Sequence, residues 1–206
     1  MLDFTADNTS AEDLDRLRGI YEPLTQSVRE LIDATIRTEV DEDAVAAAKA
    51  EIDSATARLR SKQLEGSFGV RYRDAGRQIT WGNVVIGTRN PIAPPLVITH
   101  DPSGGVWCDL ELGAAYEGPP GHVHGGVAAL ILDHVLGEAA SDGISPRLTG
   151  TLTLRYVRAT RLGRLRAEAM TTRVDGVKTF AAGHLADDEG ITVHAEGVFI
   201  KPRWAR

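Results

Sequence analysis

Cysteine is almost absent. Cys108 stands alone among 206 residues, so no intrachain disulfide can form, and a reducing cytoplasm is the expected compartment. Basic charge is also in deficit: 23 Lys and Arg against 29 Asp and Glu leave a net charge of −6. That excludes a general electrostatic grip on nucleic acid or on an anionic membrane, leaving room only for a local basic patch. No apolar run approaches the ~20 residues that span a bilayer. The opening MLDFTADNTS is acidic and lacks the basic and apolar regions of a secretory leader. What is present is an ordinary globular balance, 42% hydrophobic and 25% charged, with length for one medium domain and an extension.

Two parts are expected along the chain. Residues 1–66 read as a helical extension. Ser10 with Asp13 is a helix start, and Leu14, Leu17, Tyr21 and Leu24 recur at helical spacing. Pro23 predicts a break or kink, after which Val28, Leu31, Ile32 and Ile36 continue the stripe. A second helix opens at DEDAVAAAK, its acids suiting the positive end of the dipole. Its stripe is Val45, Ala48, Ile52, Ala55 and Leu59. The pair suits a hairpin packed on the main domain or on a partner subunit. Residues 67–78 read as a linker, and residues 79–206 as the main domain.

In that domain the period changes to two. LVITH and GVWCDLEL precede one apolar helix, and LTGTLTLRYV, GRLRAEAMTTRV, TFAAGHLA and ITVHAEGVFI follow it, separated by RLG, VDGV and DDEG. The spacing predicts strand, strand, helix, then four strands in a meander. This is an α+β arrangement, an antiparallel sheet wrapped around one long central helix.

The chemistry gathers in GPPGHVHGGVAALILDHVLGEAA, residues 118–140. Gly125 and Gly126 at the helix mouth let a substrate approach the backbone, where the first N–H groups lack internal partners and carry the positive end of the macrodipole. Such donors stabilise an oxyanion, although a tight turn also asks for small residues. Asp133 lies within an all-round apolar helix, where an ionised acid is costly unless it is paired. Either Asp133, His134 and Glu138 form a solvated face, or Asp133 points into a pocket and serves as general base or nucleophile. Gly125 and Asp133 are eight residues apart, roughly 12 Å along one helix, so no single carbonyl touches both within one subunit. Two such helices antiparallel across a two-fold axis bring them together, which requires a dimer.

HVHGGVAALILDHVLG resembles the helix of hotdog-fold thioesterases of the phenylacetate-degradation type (PaaI-like), marked by HGG with Asp nine positions after the His. The match is at His124, Gly125, Gly126 and Asp133. TGTLTLRYVRAT resembles the next strand of the human acyl-CoA thioesterase branch, which carries a Thr seven places before a Tyr, here Thr149 and Tyr156. GTRNP, residues 87–91, resembles the family's Gly-x-x-Asn-Pro lead-in. The likeness covers about residues 79–203 and implies a hotdog fold. It makes Asp133 the catalytic carboxylate and gives Thr149 the water or the orientation of the acid. The Gly125 N–H polarises the thioester carbonyl, His124 shapes the helix entrance, and Gly126 and His122 lie at the substrate. The family often has Pro soon after the Tyr-bearing strand, where Ala159 and Thr160 stand here.

Other signals bear on substrate and rivals. Arg155, Arg158, Arg161, Arg164 and Arg166 crowd one segment, either as a solvated hairpin or as a grip on coenzyme A phosphates, with Arg158 expected to make the phosphate contact. His122 and His124 form HxH, but the acid a metallohydrolase needs two places on is replaced by Gly126, so no metal is expected. His100, His184 and His194 show no partner at informative spacing. Ser141 and Ser145 lie outside any G-x-S-x-G elbow, and Cys108 reads as a buried structural thiol. The expectation is a cytoplasmic homo-oligomer, a dimer or a dimer of dimers, that hydrolyses acyl-CoA without a cofactor, nucleic acid or membrane partner. A non-catalytic acyl-CoA sensor is one alternative. A hotdog hydratase or dehydratase is another, weakened because adjacent Asp133 and His134 diverge by about 100° on a helix.

Overall fold

The computed structural model describes residues 4–6, 8–72, 78–94, 96–102, 104–141 and 146–205. The expected Ser145 and part of the expected linker, residues 73–77, lie outside them.

The extension begins with α1, Ala11–Arg37, capped by Ser10, whose hydroxyl accepts the Asp13 N–H at 3.0 Å. Leu14 is buried with Ile79 and Trp81, and Leu17, Tyr21 and Phe68 pack around them. The Arg89 guanidinium lies 3.5 Å over the Tyr21 ring and 5.4 Å from Trp81, so a cation–π contact ties α1 to the main domain. Of the break or kink expected at Pro23, the break does not occur: α1 runs through it. Proline there removes one backbone bond, to Gly19, while buried Thr25 after it donates across to the carbonyl of half-buried Tyr21 before it at 2.8 Å.

Helix α2, Glu42–Arg60, is capped by Asp41, which accepts the Ala44 N–H at 2.9 Å. It buries no residue and packs closely against no other element among the described residues. The expected hairpin of the two helices is therefore not observed: α1 docks on the main domain by itself, through Leu14, Leu17 and Tyr21. A small sheet then ties the extension down: β1 (Phe4–Ala6) runs parallel to β2 (Val70–Tyr72), which pairs antiparallel with β3 (Gln78–Ile79). The expected linker thus carries strand pairing.

The main sheet has six antiparallel strands in the order β4-β5-β7-β8-β9-β6. These are β4 (Thr99–His100), β5 (Gly105–Leu112), β6 (Leu148–Tyr156), β7 (Gly163–Asp175), β8 (Lys178–Asp187) and β9 (Gly190–Ile200). Helix α3, Gly125–Ala140, packs on its inner face. Alternation in β5 turns Val106, Cys108, Leu110 and Leu112 inward, as a half-buried strand requires. Ile131, Leu132, Val135 and Leu136 of α3 are wholly buried against them, each contributing roughly 1.5–3 kcal/mol. Small Ala167, Ala169 and Ala181 beneath leave depth for the helix. Gly197 is required here, since a Cβ would come within 2.5 Å of the Phe199 ring. The α+β fold expected from the sequence is present.

The four-strand meander is not. Strands β7, β8 and β9 form one, the first turn taken by Gly176 at φ 57°, but β6 pairs with β9 at the sheet edge, Thr149 opposite Phe199. The reason lies in the connection from β6 to β7, which is pinned from both sides instead of reversing. Val157 N–H donates to the Thr192 carbonyl, Val123 N–H donates to the Thr160 carbonyl, and Leu162 N–H donates to the Gly121 carbonyl. Buried Thr160 donates to the Thr192 hydroxyl at 2.8 Å, which donates to the Leu185 carbonyl at 3.0 Å. Thr160, standing where the resembled family often has proline nearby, thus locks the crossing.

No described helix is long and apolar enough to cross a membrane.

Candidate active site

The approach to α3 is a tight loop. His122 N–H donates to the Pro119 carbonyl and Gly118 N–H to the His122 carbonyl, while Gly121 N–H donates to Glu117 Oε1 at 2.6 Å. A Cβ on Gly118 would stand 2.7 Å from the His124 Cα, so glycine permits the loop to close on the helix mouth. His124 is the N-cap: its Nδ1 accepts the Gly126 N–H at 3.0 Å, and its carbonyl accepts from Val127 and Ala128. Three donors of the first turn are thereby engaged. The Gly125 N–H is left without an acceptor among the described residues. From the end of β6, the Tyr156 hydroxyl donates to the Gly125 carbonyl at 2.8 Å, which fixes the peptide that follows this free donor.

Two turns further along α3, half-buried Asp133 receives a hydrogen bond from Thr149 Oγ1 at 2.9 Å. The strand delivers Thr149 through a bulge: the register of β6 with β9 shifts between Thr149 and Thr151. Bulges re-aim side chains, and Gly150 allows this one, because a Cβ there would sit 3.0 Å from Ile200 and 3.2 Å from the Val198 carbonyl. Gly150 is the site-shaping residue that sequence reasoning missed; a glycine inside a strand pattern was the available signal. Tyr156 was matched by resemblance but given no role.

The structure thus joins Thr149 to Asp133, and separately joins His124, Gly125 and Gly126 at the helix mouth. It does not bring the two groups together within one chain, since eight residues of helix, roughly 12 Å, separate them. Gly126 spends its N–H on His124. His122 sits in the loop, its Nδ1 2.8 Å from the Pro120 carbonyl. Arg158 is engaged internally: its guanidinium grips both oxygens of Asp187, a side chain only 2% exposed, and donates to the Gly190 carbonyl at 2.8 Å. Arg158 holds the Asp187 carboxyl down at about 2, with backbone N–H bonds from Glu189 and Arg161 assisting. Arg161 pairs with Glu189 at 2.7 Å, and Arg166 with Asp109 and Glu168. The arginine cluster is largely answered by acids of neighbouring strands and turns.

His134 turns away from this chemistry. Burial pushes its imidazole below the usual range, partly offset by Glu138 and Asp133, and its Nε2 lies 3.7 Å from Glu138 with no hydrogen-bond partner. Glu138 also stands 3.8 Å from exposed His100, and His184 stands 3.9 Å from Glu168. Among the described residues no group of three or more His, Cys, Asp or Glu is disposed to hold a metal ion. Cys108 is buried, and burial pushes its thiol up to about 11.

The profile of the thioesterase superfamily matches residues 120–194, a segment running from the α3 entrance into β9. None of the curated proteins compared with the chain matches it. Among solved structures, a thioesterase superfamily protein is 32% identical with a TM-score of 0.78, the alignment covering 95% of this chain and 93% of that one. A phenylacetic acid degradation-related protein from Ralstonia eutropha JMP134 is 25% identical over 51% of this chain and 83% of its own, with a TM-score of 0.47. A thioesterase from Haemophilus influenzae is 14% identical over 51% of this chain and 76% of its own, also at 0.47. The first likeness spans nearly the whole of both chains, helical extension included, and the hotdog arrangement of α3 on its sheet agrees with it: the chain belongs to the thioesterase superfamily.

Proposed function

We propose that this protein hydrolyses acyl-CoA thioesters in an active site shared between two copies of the chain. One observation carries the reading. The Asp133 carboxylate is held by Thr149, while the unengaged Gly125 N–H lies on the same helix too far away to serve the same carbonyl. Two α3 helices antiparallel about a two-fold axis set Gly125 of one copy against Asp133 and Thr149 of the other, giving two sites per dimer. In each, Asp133 takes a proton from water and the resulting hydroxide adds to the thioester carbon. The Gly125 N–H donates to the oxyanion. The C–S bond then breaks, and coenzyme A leaves as thiolate and collects the proton, so that acyl-S-CoA and water give acid and thiol. Direct attack by Asp133 through an anhydride uses the same placement. Residues 79–206 carry this chemistry in the cytoplasm without a cofactor, and residues 1–66 are an added extension.

The test is thiol release from short, long and aromatic acyl-CoAs. Wild-type turnover on at least one class, abolished in Asp133→Asn with the fold intact by circular dichroism, supports the proposal. Absence of turnover on the whole panel overturns it in favour of a binding module. Sedimentation should give a dimer or a multiple of it, and a fully active monomer overturns the sharing.

A further inference from the structure

Large apolar side chains stand in solvent on α2. Val45, Ile52 and Leu59 are 49%, 37% and 54% exposed, and with Ala48 and Ala55 they repeat at alternating intervals of three and four. This is the a/d pattern by which one helix seats another. The helix buries nothing and packs closely against no other described element. Helices in proteins take most of their stability from packing an amphipathic face, and this 19-residue helix packs none of its own within the chain.

We infer that α2 pairs antiparallel with the α2 of a second copy, about a two-fold axis passing near Ile52. The stripe is symmetric about that residue: Val45 lies seven before it and Leu59 seven after. An antiparallel pair therefore sets Val45 of one copy against Leu59 of the other, and Ile52 against Ile52. The small Ala48 and Ala55 let the backbones close. Charge selects the direction. Asp41, Glu42 and Asp43 crowd the start of α2, and Arg58 and Arg60 its last turn, so an antiparallel pair brings acid to base at both ends while a parallel pair stacks like on like. The macrodipoles oppose in the same sense. The ion pair of Lys49 with Asp53, at 2.6 Å, lies on exposed side chains and leaves the stripe clear. Three large residues a side bury far less than the roughly 1,200–2,000 Å² of a stable interface, so this pairing acts beside another contact between copies. It does not depend on hydrolysis.

Cysteine cross-linking tests it. Cys108 is buried, so an introduced thiol is the reactive one. Helices roughly 8–10 Å apart bring two-fold-related Cα atoms within the ~4.4–6.8 Å that a disulfide spans. Under mild oxidation of the full chain, Ile52→Cys should form a covalent dimer on the order of a thousandfold faster than Ala50→Cys, on another face of α2, because the effective concentration within a pair is roughly millimolar against roughly micromolar free chains. Equal rates at the two positions overturn the pairing as random collision. No cross-link at Ile52→Cys overturns it too, and is the result expected if the stripe seats on another part of a second copy or on a different protein. Acyl-CoA turnover, measured on the same variants before oxidation, reports on the catalytic proposal separately.

Discussion

Replacing Thr149 by Val deletes one hydroxyl and keeps a β-branched side chain of nearly the same volume on β6. The strand and its bulge should persist. What is lost is the 2.9 Å hydrogen bond to Asp133 Oδ1. A hydrogen bond to a charged group contributes about 1.5–3 kcal/mol. If that bond holds the carboxylate in its reacting position, its removal raises the barrier by a similar amount, and at ~1.4 kcal/mol per tenfold the rate falls about 10- to 150-fold. Asp133 is half-buried in the single chain, where water can replace the hydroxyl, which favours the lower half of that range. The substrate carbonyl does not rest on Thr149, so the loss should fall on kcat and leave KM near its starting value. Thr149→Ser, which keeps the donor, should recover most of the rate. Thiol release followed at saturating and limiting acyl-CoA separates the two parameters. A Thr149→Val enzyme within twofold of the wild-type kcat refutes the positioning argument, and a rise in KM at constant kcat reassigns Thr149 to substrate binding.

Removing the cap in His124→Ala should cost about 1 kcal/mol, a fall of ~2–4 °C in Tm for a chain of this size, while His124→Asn, whose amide oxygen accepts the same N–H, should lose less; equal losses by differential scanning calorimetry would deny the cap a role. The Arg158–Asp187 pair predicts a pH dependence. Because the folded Asp187 carboxyl titrates at about 2, below its ordinary 3.8, its contribution to stability is present above 3.8 and drains away as pH falls towards 2. Between pH 4 and 2 the Tm of the wild type should therefore drop more steeply than that of Asp187→Asn, and parallel curves would contradict the assignment.

Much of this molecule could be read from spacing alone, and the exceptions have physical causes. The all-round apolar run of α3 and the alternation of β5 announce themselves, because burial on a helix or a pleat dictates period. Alternation tells a strand which face to bury, not which neighbour to take. The placement of β6 beside β9 depends on Thr160 meeting Thr192 and Leu185 across the fold, residues 32 and 25 places downstream of it. Pro23 does not end α1 for a similar reason, since the packing of Tyr21 and Thr25 outweighs one lost backbone bond. In the candidate site, Asp133 and Thr149 were legible through their motif, and the structure joins them. The difference between Gly125 and Gly126 was not, because it rests on which N–H the His124 ring accepts. The ion pair of Arg158 was not legible either, because Asp187, at the end of β8, lies 29 residues downstream, where nothing local pairs the two.

The position of β6 orders events as the chain is made. Thr149 is synthesised ahead of β7, β8 and β9, yet the strand that carries it finds its ladder partner only in β9, with Phe199 opposite Thr149. Asp133 therefore waits for its hydroxyl partner until some fifty further residues have emerged and zipped into place. A nascent chain halted before β9 would hold a helix and most of a sheet but no assembled acid, so this protein should gain its chemistry last, after its core.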